Sequence, residues 1–281
     1  MDVKVGSMFK DPQNLLFQIK KRKKDICIWG ILISIVILVF FLISSKDFSF
    51  MLVLSSLTQM FAFLIVLLKV YTFKNCSGLS MNTLICYLLI FIGRLTSTLS
   101  HSAYLPSDSS GDWFYQFTEI ASFLLILFII FLMKKTYKET TDVILDKIQF
   151  FYFAVPCLLI AFLIHPTLNE NLLTDTFWTF AMYLQTFAIY PQINLFVNKK
   201  GQIESYTSHY VALCGLSTLF SLIFWFDTYD ELNCMFDVKF PFLAEYAGYI
   251  VIIAQILQLI IMGDFYYLYF KSLYKGEEIN I

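Results

Sequence analysis

Eight long apolar runs divide the chain, and they constrain its fold more than any other feature. They lie at about residues 26–45, 50–68, 81–99, 114–133, 148–165, 176–197, 210–227 and 244–267. A helix needs roughly 20 apolar residues to cross a bilayer, and the runs are close to that length. Because unpaired backbone groups are costly in hydrocarbon, and no alternating strand pattern of about ten residues is present, the runs predict eight membrane-spanning helices.

The composition excludes a soluble globular enzyme. Of the 281 residues, 58% are hydrophobic and 15% are charged, whereas soluble domains average about 45–50% and 25%. The formal net charge of −1 gives no reason to expect a nucleic-acid partner. No glycine-rich phosphate loop, nucleophile elbow or catalytic carboxylate pair is present. We therefore expect neither enzymatic activity nor a cofactor.

The distribution of basic residues predicts the orientation of the protein in its membrane. With a cytosolic N-terminus, 17 of the 20 basic residues lie on the cytosolic side. Lys46 and Lys239 then lie outside, and Arg94 lies within a span. The reverse orientation inverts this count, so the positive-inside rule predicts that both termini are cytosolic.

The first apolar run follows a basic segment, as in a secretory signal peptide. Its length of about 19 residues exceeds that of an ordinary signal core, and no A-x-A cleavage site follows. This favours an uncleaved signal-anchor helix. The basic run Lys20–Lys24 determines topology in the simpler interpretation, and contacts anionic membrane lipid in the alternative one.

Cysteine and histidine spacing indicates neither a disulfide framework nor a metal site. Of the six cysteines, only Cys234 falls in a predicted lumenal loop, so it has no partner on its own side. His101, His165 and His209 are far apart and lack paired cysteines, so no zinc site is expected.

Ionisable residues at membrane depth are costly and are therefore candidate functional residues. Arg94 lies in the middle of a span and cannot lose its charge. It either forms an anion or carboxylate site or pairs with Glu119 on the next helix. Asp264 lies near the cytosolic end of the last span, and Pro191-Gln192 predicts a hinge or kink within a span.

Four stretches of the chain, in this order, resemble the KDEL receptors. They are Lys69–Tyr71 with Asn75–Ser80, Trp178–Leu184 with Ala188–Gln192, Thr207–Tyr210, and Gly263–Tyr269 with Lys275-Gly276. The resemblance covers about residues 50–276 and leaves the first span outside. It implies an all-α integral membrane protein with a seven-helix bundle in a 3+1+3 arrangement, similar to SWEET and PQ-loop transporters. The expected organisation is a basic segment with an extra helix at 1–48, the receptor-like domain at 49–270 and a cytosolic tail at 271–281.

The resemblance also implies a function. KDEL receptors bind the C-terminal peptide of lumenal cargo proteins, clamp its carboxylates with arginines, and return the cargo from the Golgi to the endoplasmic reticulum with vesicle coat machinery. Binding is favoured at acidic pH by protonation of a histidine. The expected location is thus the membrane of the endoplasmic reticulum and Golgi.

The family's functional residues are matched only in part. The positions that fall on the family's ligand-binding and transport residues, or on its proline-glutamine pair, are Arg94, Trp178, Asp175, Gln185, Gln59, Asp264, Pro191 and Gln192. Gln59 stands where the resemblance implies the pH-sensing histidine, and Gln185 where it implies a glutamate. The expected clamp arginines fall on Leu52, on Ser217 of Leu216-Ser217, and on Asp227, and an Asn-Trp pair falls on Ile223-Phe224.

These departures predict a divergent receptor. A charge-assisted bond to a carboxylate contributes about 1.5–3 kcal/mol. Losing three such bonds therefore lowers the affinity for a KDEL-type tail by several powers of ten. The acidic end Glu277-Glu278 also departs from the family's lysine-rich tail. Three functions stay open: a sorting receptor with altered cargo, a trafficking paralogue that binds no cargo, and a small-solute transporter of SWEET type.

Overall fold

The computed structural model describes residues 23–233, 244–275 and 277–280. Within these ranges the chain is mostly helical, which confirms the predicted all-α multipass fold class. Several residues used in the sequence analysis lie outside the described residues, namely Lys4, Lys10, Lys20, Lys21, Arg22, Cys234, Lys239 and Gly276.

The helices follow the predicted spans closely. They are α1 (Lys23–Leu42), α2 (Phe50–Phe73), α3 (Met81–Thr98), α4 (Ser109–Asp112), α5 (Phe114–Phe131), α6 (Phe151–Leu163), α7 (Leu172–Ala188), α8 (Tyr190–Lys199), α9 (Ser205–Leu232), α10 (Ala247–Ile261) and α11 (Gly263–Lys275). The described residues also include a π-helical turn over Leu132–Thr136 and 3-10 turns over Lys138–Thr140 and Ala244–Tyr246. Two short strands, β1 (Gln202–Ile203) and β2 (Ile279–Asn280), pair antiparallel.

Six helical segments of the described chain are long and apolar enough to cross a membrane, and α6 is a shorter apolar helix. The run at 176–197 was predicted as one span with a hinge or kink. The structure instead divides it at Ile189 into α7 and α8. Pro191 lies in the first turn of α8. Backbone N–H groups have no partner within the helix there, so the N–H that proline lacks costs no helical hydrogen bond. The run at 244–267 is divided in the same way at Met262.

The helices group as the 3+1+3 arrangement requires. In the first group, α2 and α3 both pack against α5; in the second, α10 packs against both α7 and α9. The groups meet where α2 contacts α9 and α3 contacts α7, while α6 lies against α7. The extra helix α1 contacts α2.

Gly93 explains how α3 and α7 come close together. A Cβ placed on Gly93 would lie 2.6 Å from the carbonyl oxygen of Phe177 on α7. Only a residue without a side chain allows this approach. Because Gly93 immediately precedes Arg94, the close contact also positions Arg94 against α7.

The loops that carry most of the described lysines lie together on one side of the bundle, which we call the basic face. Asp142 accepts hydrogen bonds from the Gly78 nitrogen and the Lys199 ammonium, both at 2.7 Å. The turn at Gly78 has φ +81°, a conformation that favours glycine. The side chain of Gln192 joins this loop by accepting from the Ser80 nitrogen at 2.9 Å and donating to the Gly78 carbonyl at 2.7 Å.

We predict that Gln192→Ala destabilises the protein by about 1–3 kcal/mol, because it leaves two backbone groups of the 78–80 turn without partners. The measurement is the thermal unfolding midpoint of the purified protein in detergent. Gln202→Ala removes an exposed amide from the same face and is the matched control. Equal midpoints for the two variants would contradict this role of Gln192.

Candidate functional site

Arg94 lies at the centre of a buried polar cluster that four helices form. Its side chain comes from α3, is 7% exposed, and pairs with Glu119 of α5, with Arg94 Nη1 2.9 Å from Glu119 Oε1. Its Nη2 donates to the Gln185 Oε1 of α7 and lies 3.5 Å from the Gln59 Oε1 of α2. Of the two interpretations of Arg94, the structure thus forms the ion pair with Glu119.

The formal charges of the side chains in this cluster sum to zero. One guanidinium faces one carboxylate, and the other two partners are neutral amides. A buried charge requires both a counter-charge and hydrogen bonds to be tolerated, and Arg94 has both. A ligand carboxylate would compete with Glu119 and Gln185 for the two Nη atoms of this guanidinium, whereas Arg94 Nε is buried and has no hydrogen-bond partner among the described residues.

A second cluster forms around Trp178 at the other end of α7 from the basic face. Trp178 is 2% exposed and stacks on Tyr104 with ring centroids 4.1 Å apart. Tyr104 donates from its hydroxyl to Asp175 at 2.7 Å, and Asp175 also accepts from the backbone nitrogens of Asn169 and Asn171. Trp178 is therefore a packed residue, and Asp175 is buried by neighbouring loops.

A vestibule of about 570 Å³ opens on the face opposite the basic face. Its polar lining includes Thr98, His101, Gln116, Asn169 and Glu170. Thr98 is one helical turn from Arg94 and donates to the Arg94 carbonyl at 3.0 Å, so the vestibule begins one turn from the ion pair. Among the described residues, no lysine or arginine lines it.

Two hydrogen-bonding atoms at this vestibule have no protein partner in the described chain. They are His101 Nδ1 and Asn169 Oδ1, and both are buried. Asn169 is itself held in place because its Nδ2 donates to the Ser97 hydroxyl at 2.8 Å. Buried polar atoms without partners are uncommon in folded proteins, so these two are candidates to contact a bound molecule.

Comparison with known proteins agrees with this architecture. A family model described as "ER lumen protein retaining receptor" matches residues 75–228, which is more than half of the chain. The chain belongs to this family. An ER lumen protein-retaining receptor of Drosophila melanogaster is 28% identical over 231 residues, 80% of this chain and 95% of that protein. The ER lumen protein-retaining receptor 3 of Mus musculus is 26% identical over 230 residues, 82% and 96% of the two chains.

Of the three positions that the resemblance matches to clamp arginines, two are buried in the bundle and one is exposed. Leu52 is a buried apolar residue of α2. Ser217 is fully buried on α9, where its hydroxyl lies 3.0 Å from the Ser55 hydroxyl. Asp227 is exposed near the end of α9. The structure therefore offers no cation at these three places.

The remaining predicted residues lie away from Arg94. Pro191 and Gln192 belong to the basic face, as described above. Asp264 is exposed in the first turn of α11. The predicted ligand-binding residues thus form two neighbouring groups, Arg94 with Gln59 and Gln185, and Trp178 with Asp175, while the predicted transport residues lie elsewhere.

Sequence reasoning missed Tyr104 and Asn169 as site residues. Tyr104 lies in a polar loop and meets Asp175 across a separation of 71 residues. Such a contact leaves no local signal. Asn169 had a weak signal, because it stands in the turn-forming segment Asn169-Glu170-Asn171 just before α7.

We predict that Glu119→Leu alone destabilises the protein by about 3–5 kcal/mol, since it leaves a buried guanidinium without its counter-charge. The double variant Arg94→Leu with Glu119→Leu should regain most of this loss, because no charge remains buried. Thermal unfolding in lipid nanodiscs measures both. A double variant less stable than either single variant would show that the pair does not act as a neutral unit.

Proposed function

We propose that this protein is a sorting receptor of the early secretory pathway that recognises C-terminal signals of soluble lumenal proteins, with a specificity different from that for KDEL-type tails. The name shared by its relatives supports the receptor role rather than an enzymatic one. In this proposal the basic face is cytosolic, both termini are cytosolic, and the vestibule opens to the lumen of the endoplasmic reticulum and Golgi. Vesicle coat machinery would then act on the basic face.

One observation carries the altered specificity: the guanidinium of Arg94 is already paired with Glu119. The cation that the resemblance matches to a carboxylate clamp is therefore neutralised within the protein. The vestibule one turn away presents His101, Gln116, Asn169 and the acidic Glu170. A strongly acidic peptide end would meet no free cation among these lining residues and would be repelled by Glu170.

The vestibule is better suited to a peptide end bound through neutral hydrogen bonds. Asn169 Oδ1 accepts hydrogen bonds, and His101 Nδ1 donates or accepts according to its tautomer. A neutral hydrogen bond contributes about 1 kcal/mol, roughly half of a charge-assisted one. We therefore expect an uncharged tail to bind at least as well as an acidic one, and the affinity to depend on Asn169.

We predict that a KDEL-ending peptide binds the detergent-purified protein more weakly than micromolar, and that its C-terminal amide binds equally well. Glu119→Gln should increase the affinity for the free carboxylate at least about tenfold, because it releases the Arg94 guanidinium. Fluorescence anisotropy with the labelled peptide and its amide measures both quantities.

The matched control is Glu170→Gln, which removes one negative charge from the vestibule rim without freeing Arg94. It should raise the affinities for the acid and for the amide by similar factors. Micromolar or tighter binding of the KDEL-ending peptide to the unaltered protein would contradict the proposed specificity. If Glu170→Gln raised the affinity for the free carboxylate relative to the amide as much as Glu119→Gln does, this result would contradict the role of the Arg94–Glu119 pair.

We also predict a weak pH dependence of peptide binding. Gln59 and Gln185 do not titrate, and burial lowers the pKa of His165, despite its hydrogen bond to Pro166 and the nearby Asp175 carboxylate. His165 is therefore harder to protonate in the mildly acidic range than an exposed histidine. Any residual dependence should persist in His165→Gln, as binding at neutral and mildly acidic pH would show. Loss of the dependence in His165→Gln alone would contradict this assignment.

A trafficking paralogue that binds no cargo tail is the second candidate, and the closure of Arg94 by Glu119 favours it. The two candidates differ in cells. A receptor redistributes from Golgi to endoplasmic reticulum when a cargo with a recognised tail is overexpressed, and Asn169→Leu should abolish this movement. A paralogue without cargo keeps one steady location under every tail tested.

A further inference from the structure

The extra helix α1 lies outside the part of the chain that the resemblance covers, and apolar packing holds it only weakly. Leu32 and Val39 are its buried apolar residues, whereas Ile33, Ile37 and Leu38 are exposed. Within a bilayer, lipid solvates apolar side chains as well as another helix does, so these residues give little preference for docking. Polar contacts at its ends therefore add to the packing of half-buried side chains such as Ile35 and Phe40 in fixing its position.

At the basic face, α1 is tied to α9 and α11 by a group of side chains that we call the polar clamp: Asp25, Trp29, His209 and Tyr269. Asp25 Oδ1 lies 2.9 Å from His209 Nε2. The Tyr269 hydroxyl lies 2.8 Å from His209 Nδ1 and accepts from Trp29 Nε1 at 3.1 Å. Asp25 also accepts from the Ser205 hydroxyl at 2.8 Å.

A neutral histidine satisfies the whole polar clamp. With its hydrogen on Nε2, His209 donates to Asp25 and accepts at Nδ1 from the Tyr269 hydroxyl, which in turn accepts from Trp29. His209 and Tyr269 are both nearly inaccessible to solvent. If α1 moved away, His209 and Ser205 would lose their bonds to Asp25, and Tyr269 would lose its bond to the indole and keep only its bond to His209 among these contacts.

At the other end of α1, the following loop is attached to a separate part of the bundle. Ser44 donates from its hydroxyl to Asp108 at 2.6 Å, and Ser109 donates to the Ile43 carbonyl at 2.7 Å. Although burial opposes it, hydrogen bonds from Ser44, Ser45 and Ser110 lower the pKa of Asp108 to about 2. The carboxylate therefore remains charged in neutral and mildly acidic solution.

We propose that α1 is a built-in brace that fixes the last helix, α11, against α9. The chain is divided at Met262, so α11 is not a rigid continuation of α10. Apart from the polar clamp, α11 is bonded to α9 through the Tyr266 hydroxyl, which donates to the Ala212 carbonyl at 2.8 Å. The seven-helix domain thus has a docking surface at Ser205, His209 and Tyr269 for a helix that carries a carboxylate and an indole, and α1 occupies it.

Hydrogen–deuterium exchange of the full chain in nanodiscs, read by mass spectrometry of peptides from α11, tests the brace. Trp29→Phe and Asp25→Leu should each speed exchange in α11 at least about fivefold, the factor expected for one lost hydrogen bond, because leucine cannot accept from His209 or Ser205. Exchange in α3 should not change. Ser34→Ala is the matched control, because Ser34 is exposed on α1 and bonds only to the Gly30 carbonyl in the described contacts. Unchanged exchange of α11 in both clamp variants would overturn the proposal.

A double-variant comparison separates a specific brace from general loosening. In the Tyr269→Phe background, Trp29→Phe should add no further acceleration, because its hydrogen-bond acceptor is already absent. Asp108→Asn, which weakens the far end of α1, should add to Tyr269→Phe. Full additivity of Trp29→Phe with Tyr269→Phe would show that the indole does not act through Tyr269 and would also overturn the proposal.

Discussion

A permanently charged guanidinium buried among helices is the constraint on which the centre of this structure depends. Arg94 cannot be neutralised by losing a proton, so its surroundings must supply the opposite charge and the acceptors. Glu119 supplies the charge, and Gln59 and Gln185 supply further acceptors. Because α2, α3 and α5 belong to one helix group and α7 to the other, satisfying Arg94 also joins the two groups.

The neutral amides beside Arg94 are consistent with the presence of Glu119. If position 185 carried a glutamate in the same geometry, two carboxylates would share one guanidinium in a site with little solvent. One excess negative charge would then be buried, which is costly without a further partner. Glutamine keeps the hydrogen bond and avoids the charge. Glu119, Gln185 and Gln59 are therefore best understood as one electrostatic arrangement.

The positions of the helices and the isolated charge within a span could be predicted from the sequence, whereas contacts between distant loops could not. The apolar runs located the helices, and an isolated arginine in a span led to Glu119 as a partner on the neighbouring helix. The break at Ile189 lies two residues before Pro191, where a hinge or kink was predicted, whereas the break at Met262 was not predicted. The stacking of Tyr104 on Trp178 joins loops and helices far apart in the chain. No pattern in the neighbouring sequence indicates such a contact.

Retained family residues have structural roles in this chain, and this limits what the resemblance implies about ligands. The resemblance implies that Arg94 matches a family arginine, yet its contacts show a charge balanced inside the bundle. The resemblance likewise implies that Trp178 matches a cavity tryptophan, yet Trp178 is stacked on Tyr104 and packs edge-on against Trp225 at 5.2 Å. A fold can keep such residues for packing and charge balance while the ligand site changes, since fold alone does not determine function. The polar atoms that remain available are those of the vestibule, and the specificity of this receptor-like bundle should be sought there.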